Sequence, residues 1–219
     1  VITVSYSMRD QLVSLGYEEW KIRVVYNGVD FKESAGIKAG KYDKPTVCCV
    51  SRLVKYKNVD DLINAFSIVK KDLPDARLVI IGTGPERENL ERLARKRRVH
   101  DAVEFKGYVE KHRRVLEIIK SSHVYCLPSS VEGFGIATVE ALSLGVPYVA
   151  SDIPAVKEVT SNGVSGLLFK VGDIQDLAVK LKKALTEDMK VDIEYYRSRY
   201  DWSVLAKQIE ETYEGFFKG

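Results

Sequence analysis

The sequence predicts an α/β protein built on a doubly wound parallel sheet, and two observations lead to this fold class. Short apolar runs of four or five residues alternate with longer amphipathic segments along the 219 residues. The runs are apolar at successive positions, as expected for strands covered on both faces of a parallel sheet. Ligands bind such sheets beyond the carboxyl ends of the strands, so the loops at those ends are where function is sought.

The predicted elements follow one another in a regular order. Residues 1–5 predict a first strand, and a helix around Met8 to Leu15 follows, with Ser7 as its cap. Buried strands are predicted at residues 46–50, 78–81, 103–106, 124–127 and 147–150. Crossover helices are predicted at residues 59–69, 85–97 and 111–121. An apolar stripe predicts a last helix and comprises Trp202, Leu205, Ala206, Ile209, Tyr213, Phe216 and Phe217.

Composition and charge exclude several classes of protein. A hydrophobic content of 45% is enough for one sizeable core, and no apolar run approaches the roughly 18 residues that span a bilayer. The first residues lack the pattern of a signal peptide, so a cytoplasmic protein is expected. The net charge of +3 is too small to indicate nucleic-acid binding. Cys48, Cys49 and Cys126 lie in apolar runs, which favours buried reduced thiols over a metal or redox site.

Two glutamates mark the most informative segment. Glu132 lies in the loop after the predicted strand at 124–127, and Glu140 lies inside the helix that follows. Gly133 and Gly135 remove side chains where free backbone N–H groups and the positive end of the helix dipole point outward, which suits a diphosphate. The Glu140 carboxylate can accept hydrogen bonds from a diol on one side of the phosphates. Glu132, in the loop, faces the group attached on their other side. A diol, a diphosphate and a second hydroxylated group in a row describe a nucleotide sugar.

Three motifs follow one another along the chain and carry a family resemblance. They are Asn27-Gly28-Val29-Asp30, Ser51-Arg52-Leu-Val-Lys-Tyr-Lys57, and Glu132-Gly-Phe-Gly-Ile with Glu140-Ala and Gly145-Val-Pro147 after it. In their order and spacing the chain resembles the Rossmann-like C-terminal, donor-binding half of a GT-B, family-4-type retaining glycosyltransferase (glycosyl transferases group 1). The resemblance covers nearly the whole chain but about half of such an enzyme.

The resemblance implies a division of the chain. Residues 1–20 correspond to the end of the acceptor domain and the connection between the domains, and residues 21–198 to the nucleotide-sugar-binding domain. Residues 199–219 correspond to a C-terminal helix that crosses back to the missing N-terminal domain. The chain alone is therefore expected to be inactive, because it lacks the acceptor site.

The resemblance also assigns the catalytic residues, which are Arg52, Lys57 and Glu132. Arg52 and Lys57 match the basic pair that grips the donor diphosphate and stabilises the charge on the leaving nucleoside diphosphate. Glu132 matches the group that holds the hydroxyls of the transferred sugar. The backbone that assists Glu132 is that of Gly133, Phe134, Gly135 and Ile136.

The remaining expected donor contacts reach the nucleotide. Glu140 matches the ribose ligand, and Thr138 is expected to add a hydroxyl to the phosphates. Val109, in the loop after the strand at 103–106, matches the segment whose main chain meets the base. Main-chain contacts leave little trace in a sequence, so a UDP-, GDP- or ADP-linked sugar fits equally well.

The reaction implied by the resemblance moves a hexose from a nucleotide sugar to an acceptor hydroxyl with retention of configuration, in carbohydrate biosynthesis. No cofactor and no metal are expected, because two cations and a helix N-terminus can do electrostatically what a divalent metal does elsewhere. A lipid-linked acceptor would place the parent enzyme at a membrane face.

Several residues also have simpler interpretations. Phe134 fits a core aromatic, and Thr138 fits an ordinary helical threonine. Gly82-Thr-Gly84-Pro85 fits a tight turn with Pro85 at the start of a helix, because Arg87 replaces the third glycine of a dinucleotide fingerprint. Asn58 departs from the family, which commonly has glycine after the lysine. His100, His112 and His123 are isolated, and surface or supporting roles are expected for them.

Two other classes of function stay open. One is a module that binds a nucleotide sugar without transferring it. The other is a further GT-B enzyme, such as a sugar-nucleotide epimerase or a phosphorylase, although the sequence offers no candidate for a phosphorylase's cofactor lysine. An epimerase would alter the free donor with no acceptor present.

Overall fold

The computed structural model describes the backbone of residues 1–217 and the side chains of residues 1–214. Near the N-terminus a small parallel sheet joins β1 (Ile2–Thr3) to β2 (Arg23–Val24). The main sheet has six parallel strands, β3 (Thr46–Val50), β4 (Arg77–Ile81), β5 (Val103–Gly107), β6 (Val124–Leu127), β7 (Tyr148–Ser151) and β8 (Gly166–Phe169). The predicted α/β fold with a doubly wound parallel sheet is confirmed.

The strand order of the main sheet is β5-β4-β3-β6-β7-β8. The chain builds outward from β3 to β5 and then returns to the centre, where β6 pairs with the free side of β3. The direction of building therefore reverses between β3 and β6. At such a reversal the loops that leave the two strands separate and open a crevice beyond their carboxyl ends. The loops after β3 and β6 carry Arg52, Lys57 and Glu132, so three predicted site residues border this crevice.

Helices cover both faces of the main sheet. The helices of residues 1–217 are, in chain order, α1 (Tyr6–Ser14), α2 (Phe31–Ala35), α3 (Val59–Asp72), α4 (Arg87–Lys96), α5 (His112–Ser121), α6 (Ile136–Ser143), α7 (Pro154–Val159), α8 (Ile174–Thr186), α9 (Ile193–Tyr200) and α10 (Trp202–Phe217). Buried side chains of α3, α4 and α8 form one core cluster with the sheet. Those of α5, α6, α7 and α9 form a second cluster on the other face. The strands lie between two apolar layers, which is why they are apolar at successive positions.

Strand β3 shows both layers. Val47 and Cys49 belong to one core cluster and Cys48 to the other, because successive side chains of a strand point to opposite faces. Cys48, Cys49 and Cys126 are buried free thiols, as predicted. Burial raises the pKa of Cys49 to about 12, so this thiol stays protonated and unreactive.

Some local boundaries differ from the predictions. The cap of α1 is Ser5 and not Ser7, because the Ser5 hydroxyl accepts from the Met8 N–H at 3.1 Å and the helix begins at Tyr6. Helix α4 begins at Arg87, so Pro85 precedes the helix instead of starting it. Strand β8 was not predicted, and three of its four residues are only partly buried, which weakens the apolar signal of an edge strand. Within residues 1–217, no helix is long and apolar enough to cross a membrane.

The motif that begins at Asn27 forms backbone hydrogen bonds with the residues at the start of α10. Val29 donates its N–H to the Tyr200 carbonyl at 2.8 Å, and Trp202 donates its N–H to the Val29 carbonyl at 3.3 Å. A Cβ on Gly28 would lie 2.4 Å from the Trp202 ring, so a larger residue there would displace that ring. Along the predicted apolar stripe Leu205 is buried, whereas Trp202 and Tyr213 are about half exposed. The side chains of two stripe members, Phe216 and Phe217, lie outside the described residues.

Candidate functional site at the strand crevice

The loop after β3 brings two cations to the crevice. It ends in a single 3-10 turn, Lys55–Lys57, and Asn58, the residue before α3, has φ 47° and ψ 38°, in the left-handed region. Asparagine tolerates this region better than most residues with a side chain, which explains how it stands where the family commonly has glycine. The Arg52 side chain is exposed, and its Nη2 donates to the Tyr56 hydroxyl at 2.5 Å. Among the side chains of residues 1–214, no carboxylate pairs with Arg52.

The loop after β6 brings Glu132 to the same crevice. The Ser130 N–H donates to the Tyr56 carbonyl at 2.9 Å, which ties this loop to the one after β3. Gly135 has φ 85°, a left-handed conformation that favours glycine, and α6 begins at the next residue. The Phe134 side chain is buried and packs between the rings of Tyr26 and Tyr200, with centroids 5.8 and 5.7 Å away. Phe134 is therefore a core aromatic, and any ligand contact that it makes must come from its backbone.

Lys57 and Glu132 meet across the crevice. Lys57 Nζ donates to Glu132 Oε1 at 2.5 Å, and the two side chains are only 14% and 11% exposed. A carboxylate and an ammonium so little exposed are costly to desolvate unless each has a partner of opposite charge. The structure thus joins two residues that the sequence assigned to neighbouring parts of one ligand. A diphosphate that bound Lys57 would compete with Glu132 for the ammonium.

Glu140 also has a partner, which sequence reasoning missed. Its carboxylate is 13% exposed, and its Oε1 lies 3.2 Å from Nε2 of His112, the first residue of α5. Burial raises the pKa of Glu140, and the nearby Glu33 raises it further, while His112 acts in the opposite direction. A largely buried carboxylate needs a hydrogen-bonding or charged partner, and His112 supplies one within the protein. One feature of the sequence could have indicated a role for His112. It lies at the start of a predicted helix, directly after the loop that contains Val109.

Two buried hydroxyls near the N-terminus of α6 lack hydrogen-bond partners within the described residues. They are Ser129 Oγ, just after β6, and Thr138 Oγ1, in the first turn of α6. Buried polar groups are nearly always hydrogen-bonded in native proteins, so an unsatisfied pair flanking one loop is compatible with a ligand or a water that completes them. Thr138 was predicted from sequence. Ser129 was not, because a serine after a strand is common in any loop.

The loop after β5 lies on the same side of the sheet as the crevice, beyond the carboxyl ends of the strands. Gly82, directly after β4, donates its N–H to the Gly107 carbonyl at 2.8 Å, and the Leu53 N–H donates to the Thr83 carbonyl at 2.8 Å. These bonds join the loops after β3, β4 and β5. Val109 follows in the last of these loops and is partly buried against the core cluster that contains α5 and α6. The predicted site residues therefore share one edge of the sheet.

Cavity volume is not a reliable guide to this site, because a cavity of about 750 Å³ between α3 and residues 170–175 contains none of the predicted site residues. A cavity of about 500 Å³ lies at the opposite edge, lined by residues at the amino ends of β3, β4 and β5, such as Thr46, Arg77 and Val103. Parallel sheets place ligands at the carboxyl ends, where unpaired loop N–H groups and helix N-termini converge. Strand topology therefore locates the candidate site better than cavity size does.

We expect Glu140→Gln to increase stability at neutral pH. The folded-state pKa of Glu140 is raised above its ordinary 4.5, so the ionised carboxylate costs folding free energy that grows as the pH rises from about 4.5 through the raised pKa. Glutamine removes this cost and still offers an oxygen to His112. Urea unfolding should show a gain of about 1 kcal/mol at pH 7.5 and none at pH 4. A loss of stability at pH 7.5 would show that the attraction of His112 outweighs burial and the repulsion of Glu33 at the Glu140 carboxylate.

A family model agrees with the motifs in this site. The model of the family "Glycosyl transferases group 1" matches residues 30–200, which include both crevice loops and α6. This span contains all of the predicted site residues.

Individual relatives are similar to this chain over nearly its full length. An uncharacterized glycosyltransferase of Methanocaldococcus jannaschii is 28% identical over 239 aligned positions, covering 98% of this chain and 59% of that protein. A glycogen synthase of Mycobacterium tuberculosis is 28% identical, covering 97% of this chain and 53% of that protein. The chain thus spans little more than half the length of these relatives.

Among solved structures, HepE of Anabaena in complex with UDP and glucose is similar in fold. The TM-score is 0.86 at 22% identity, and the match covers 98% of this chain and 63% of that one. At this level of identity the similarity shows the fold alone.

Proposed function

The chain belongs to the glycosyl transferases group 1 family and has the fold of a GT-B glycosyltransferase domain, and on that premise we propose that it is the donor-binding domain of a longer enzyme. This enzyme is a retaining, metal-independent glycosyltransferase that transfers a hexose from a nucleotide sugar to an acceptor hydroxyl. The relatives' greater length supports a second, acceptor-binding domain N-terminal to residue 21.

The observation that carries the proposal is the meeting of Lys57 and Glu132 where the strand order reverses, beside the N-terminus of α6. The ion pair places a cation beside the glycine-containing loop that leads into α6, and a cation together with a helix N-terminus suits the binding of a diphosphate. A carboxylate held 2.5 Å from that cation is placed to accept hydroxyls from a group attached to the diphosphate. Glu140, further along α6, is placed to accept hydroxyls from a ribose on the other side.

These groups have matching roles in the reaction. When the bond between the sugar and the diphosphate breaks, negative charge accumulates on the leaving phosphate. Lys57, Arg52 and the α6 dipole stabilise that charge, which lowers the barrier. The same groups supply the positive charge that a divalent metal supplies in other transferases, and this supports metal independence.

The donor that fits best is a nucleotide sugar, with the main chain near Val109 meeting the base. HepE, whose fold is similar, was solved in complexes with UDP and with UDP-glucose. This supports a UDP-linked donor as the first to try, with GDP- and ADP-linked sugars as the comparisons. The parent enzyme works in the cytoplasm, at the membrane face if its acceptor is lipid-linked.

Transfer proceeds on one face of the sugar. Retention by double displacement would need a carboxylate about 3 Å from the anomeric carbon. In the proposed mechanism Glu132 holds the hydroxyls of the sugar, and the leaving phosphate helps to deprotonate the incoming acceptor. A glycosyl ester trapped on Glu132 and identified by mass spectrometry would contradict this mechanism.

Calorimetric titration of the chain in EDTA tests the proposal. We expect one of UDP, GDP and ADP to bind without metal. Arg52→Ala and Glu140→Ala should each weaken binding about tenfold or more, since each removes a charged hydrogen-bonding group. Arg95→Ala is the matched control, because Arg95 is an exposed arginine on α4 far from the crevice loops. Equal effects of Arg52→Ala and Arg95→Ala would contradict the assignment.

The same preparation separates the alternative functions. A binding module would hold the nucleotide sugar and show no transfer even when the N-terminal half is added. An epimerase would alter the free donor with no acceptor present, which thin-layer or NMR analysis of the sugar would reveal. Transfer that appears only with the N-terminal half supports the proposed enzyme.

A further inference from the structure

The contact between His112 and Glu140 needs an explanation beyond ordinary surface packing. His112 is 57% exposed and lies outside both core clusters, so burial of its own ring does not fix its position. Its Nε2 nevertheless lies 3.2 Å from a carboxylate oxygen that is largely buried on a different helix. His100 offers a contrast, since its ion-pair partner is the neighbouring and exposed Asp101.

The surroundings of Glu140 show what the imidazole contributes. The charged and titratable groups that face the carboxylate are Glu33 from α2, His112 from α5 and Tyr125 from β6. Glu33 repels a negative charge, and Tyr125 is fully buried. His112 is therefore the one group of the three that stabilises the ionised carboxylate through its positive charge or its N–H. Without it, an acceptor at this position would be poorly oriented and disfavoured in its charged form.

We propose that His112 is a positioning residue that orients the Glu140 carboxylate to accept the hydroxyls of a ribose ring. In this arrangement His112 holds Oε1, and Oε2 is the oxygen that would accept from the ribose. The inference rests on the proposed function, in which Glu140 binds the nucleoside. It goes further by assigning to a residue of α5 the selectivity for ribose over deoxyribose. Because His112 directly follows the loop that contains Val109, the ribose contact is also connected to the segment that meets the base.

The test compares ribose with deoxyribose ligands on the intact chain. The probes are the nucleoside diphosphate that binds in the titration above and its 2′-deoxy and 3′-deoxy forms. Wild type should prefer the ribose form over at least one deoxy form by about tenfold or more, as expected for a lost hydrogen bond to a charged acceptor. His112→Ala should reduce this preference to about threefold or less. His112→Gln should restore it, because its amide nitrogen can take the place of Nε2.

Control variants and outcomes separate this inference from the proposed function. His100→Ala should leave the preference unchanged, and a thermal unfolding scan of each variant checks that the fold is intact. Full ribose preference in His112→Ala would overturn the positioning role while leaving nucleotide binding established. Wild type that binds none of the diphosphates would overturn the proposed function and this inference together. A general loss of affinity in His112→Ala, equal for all three ligands, would also overturn it, because a purely structural role predicts that result.

Discussion

Lys57→Ala is expected to weaken binding of a nucleoside diphosphate by about 100-fold. The substitution removes a charge-assisted hydrogen bond to the phosphates, and it leaves the Glu132 carboxylate, which is 11% exposed, without its partner beside the same phosphates. The unpaired carboxylate should also lower the free energy of unfolding by about 3 kcal/mol. Calorimetry measures the first effect and urea unfolding the second.

Two further variants separate binding from stability at this position. Lys55→Ala is the matched control, because Lys55 is an exposed lysine in the same 3-10 turn, and it should change neither quantity. Adding Glu132→Gln to Lys57→Ala removes the unpaired charge, so stability should recover while nucleoside diphosphate binding stays weak. If binding recovered together with stability, Lys57 would act only as the structural partner of Glu132.

Gly82→Ala is expected to have the largest effect on stability of any single substitution considered for this chain. Gly82 has φ 129°, and a Cβ there would lie 1.9 Å from the carbonyl oxygen of Ser51. That oxygen is main chain in the loop that carries Arg52, so neither side can give way without moving the crevice. We expect a loss of about 3 kcal/mol or more, from overpacking together with strain in a backbone conformation that favours glycine.

The control for this substitution is Gly40→Ala. Nothing lies within 4 Å of a Cβ on Gly40, and a substitution there should stay within about 0.5 kcal/mol of wild type. Urea unfolding at 25 °C compares the two. A stable Gly82→Ala protein that still bound nucleoside diphosphate would show that the loops after β3 and β4 adapt more freely than their hydrogen bonds indicate.

The sequence located the crevice residues well, because strand and loop signals are local. The loops that hold Arg52, Lys57 and Glu132 each follow a run of apolar residues, and the helix after Glu132 was evident from its spacing. The roles assigned to these residues remain predictions. The sequence was less successful where tertiary contacts decide the outcome: Ser5 and not Ser7 caps α1, and the partly exposed strand β8 gave no clear signal.

By itself the sequence determined the fold class, the family and the loops at the carboxyl ends of the strands, since apolar periodicity and short motifs depend on neighbours along the chain. Only the tertiary structure decided which charges meet. Lys57 and Glu132 are 75 positions apart, and they come together because β6 pairs with β3 and not with β5. His112 reaches Glu140 because α5 and α6 cover the same face of the sheet. The free energy of a charge depends on the partner beside it in a poorly hydrated site, and the packing of distant segments supplies that partner.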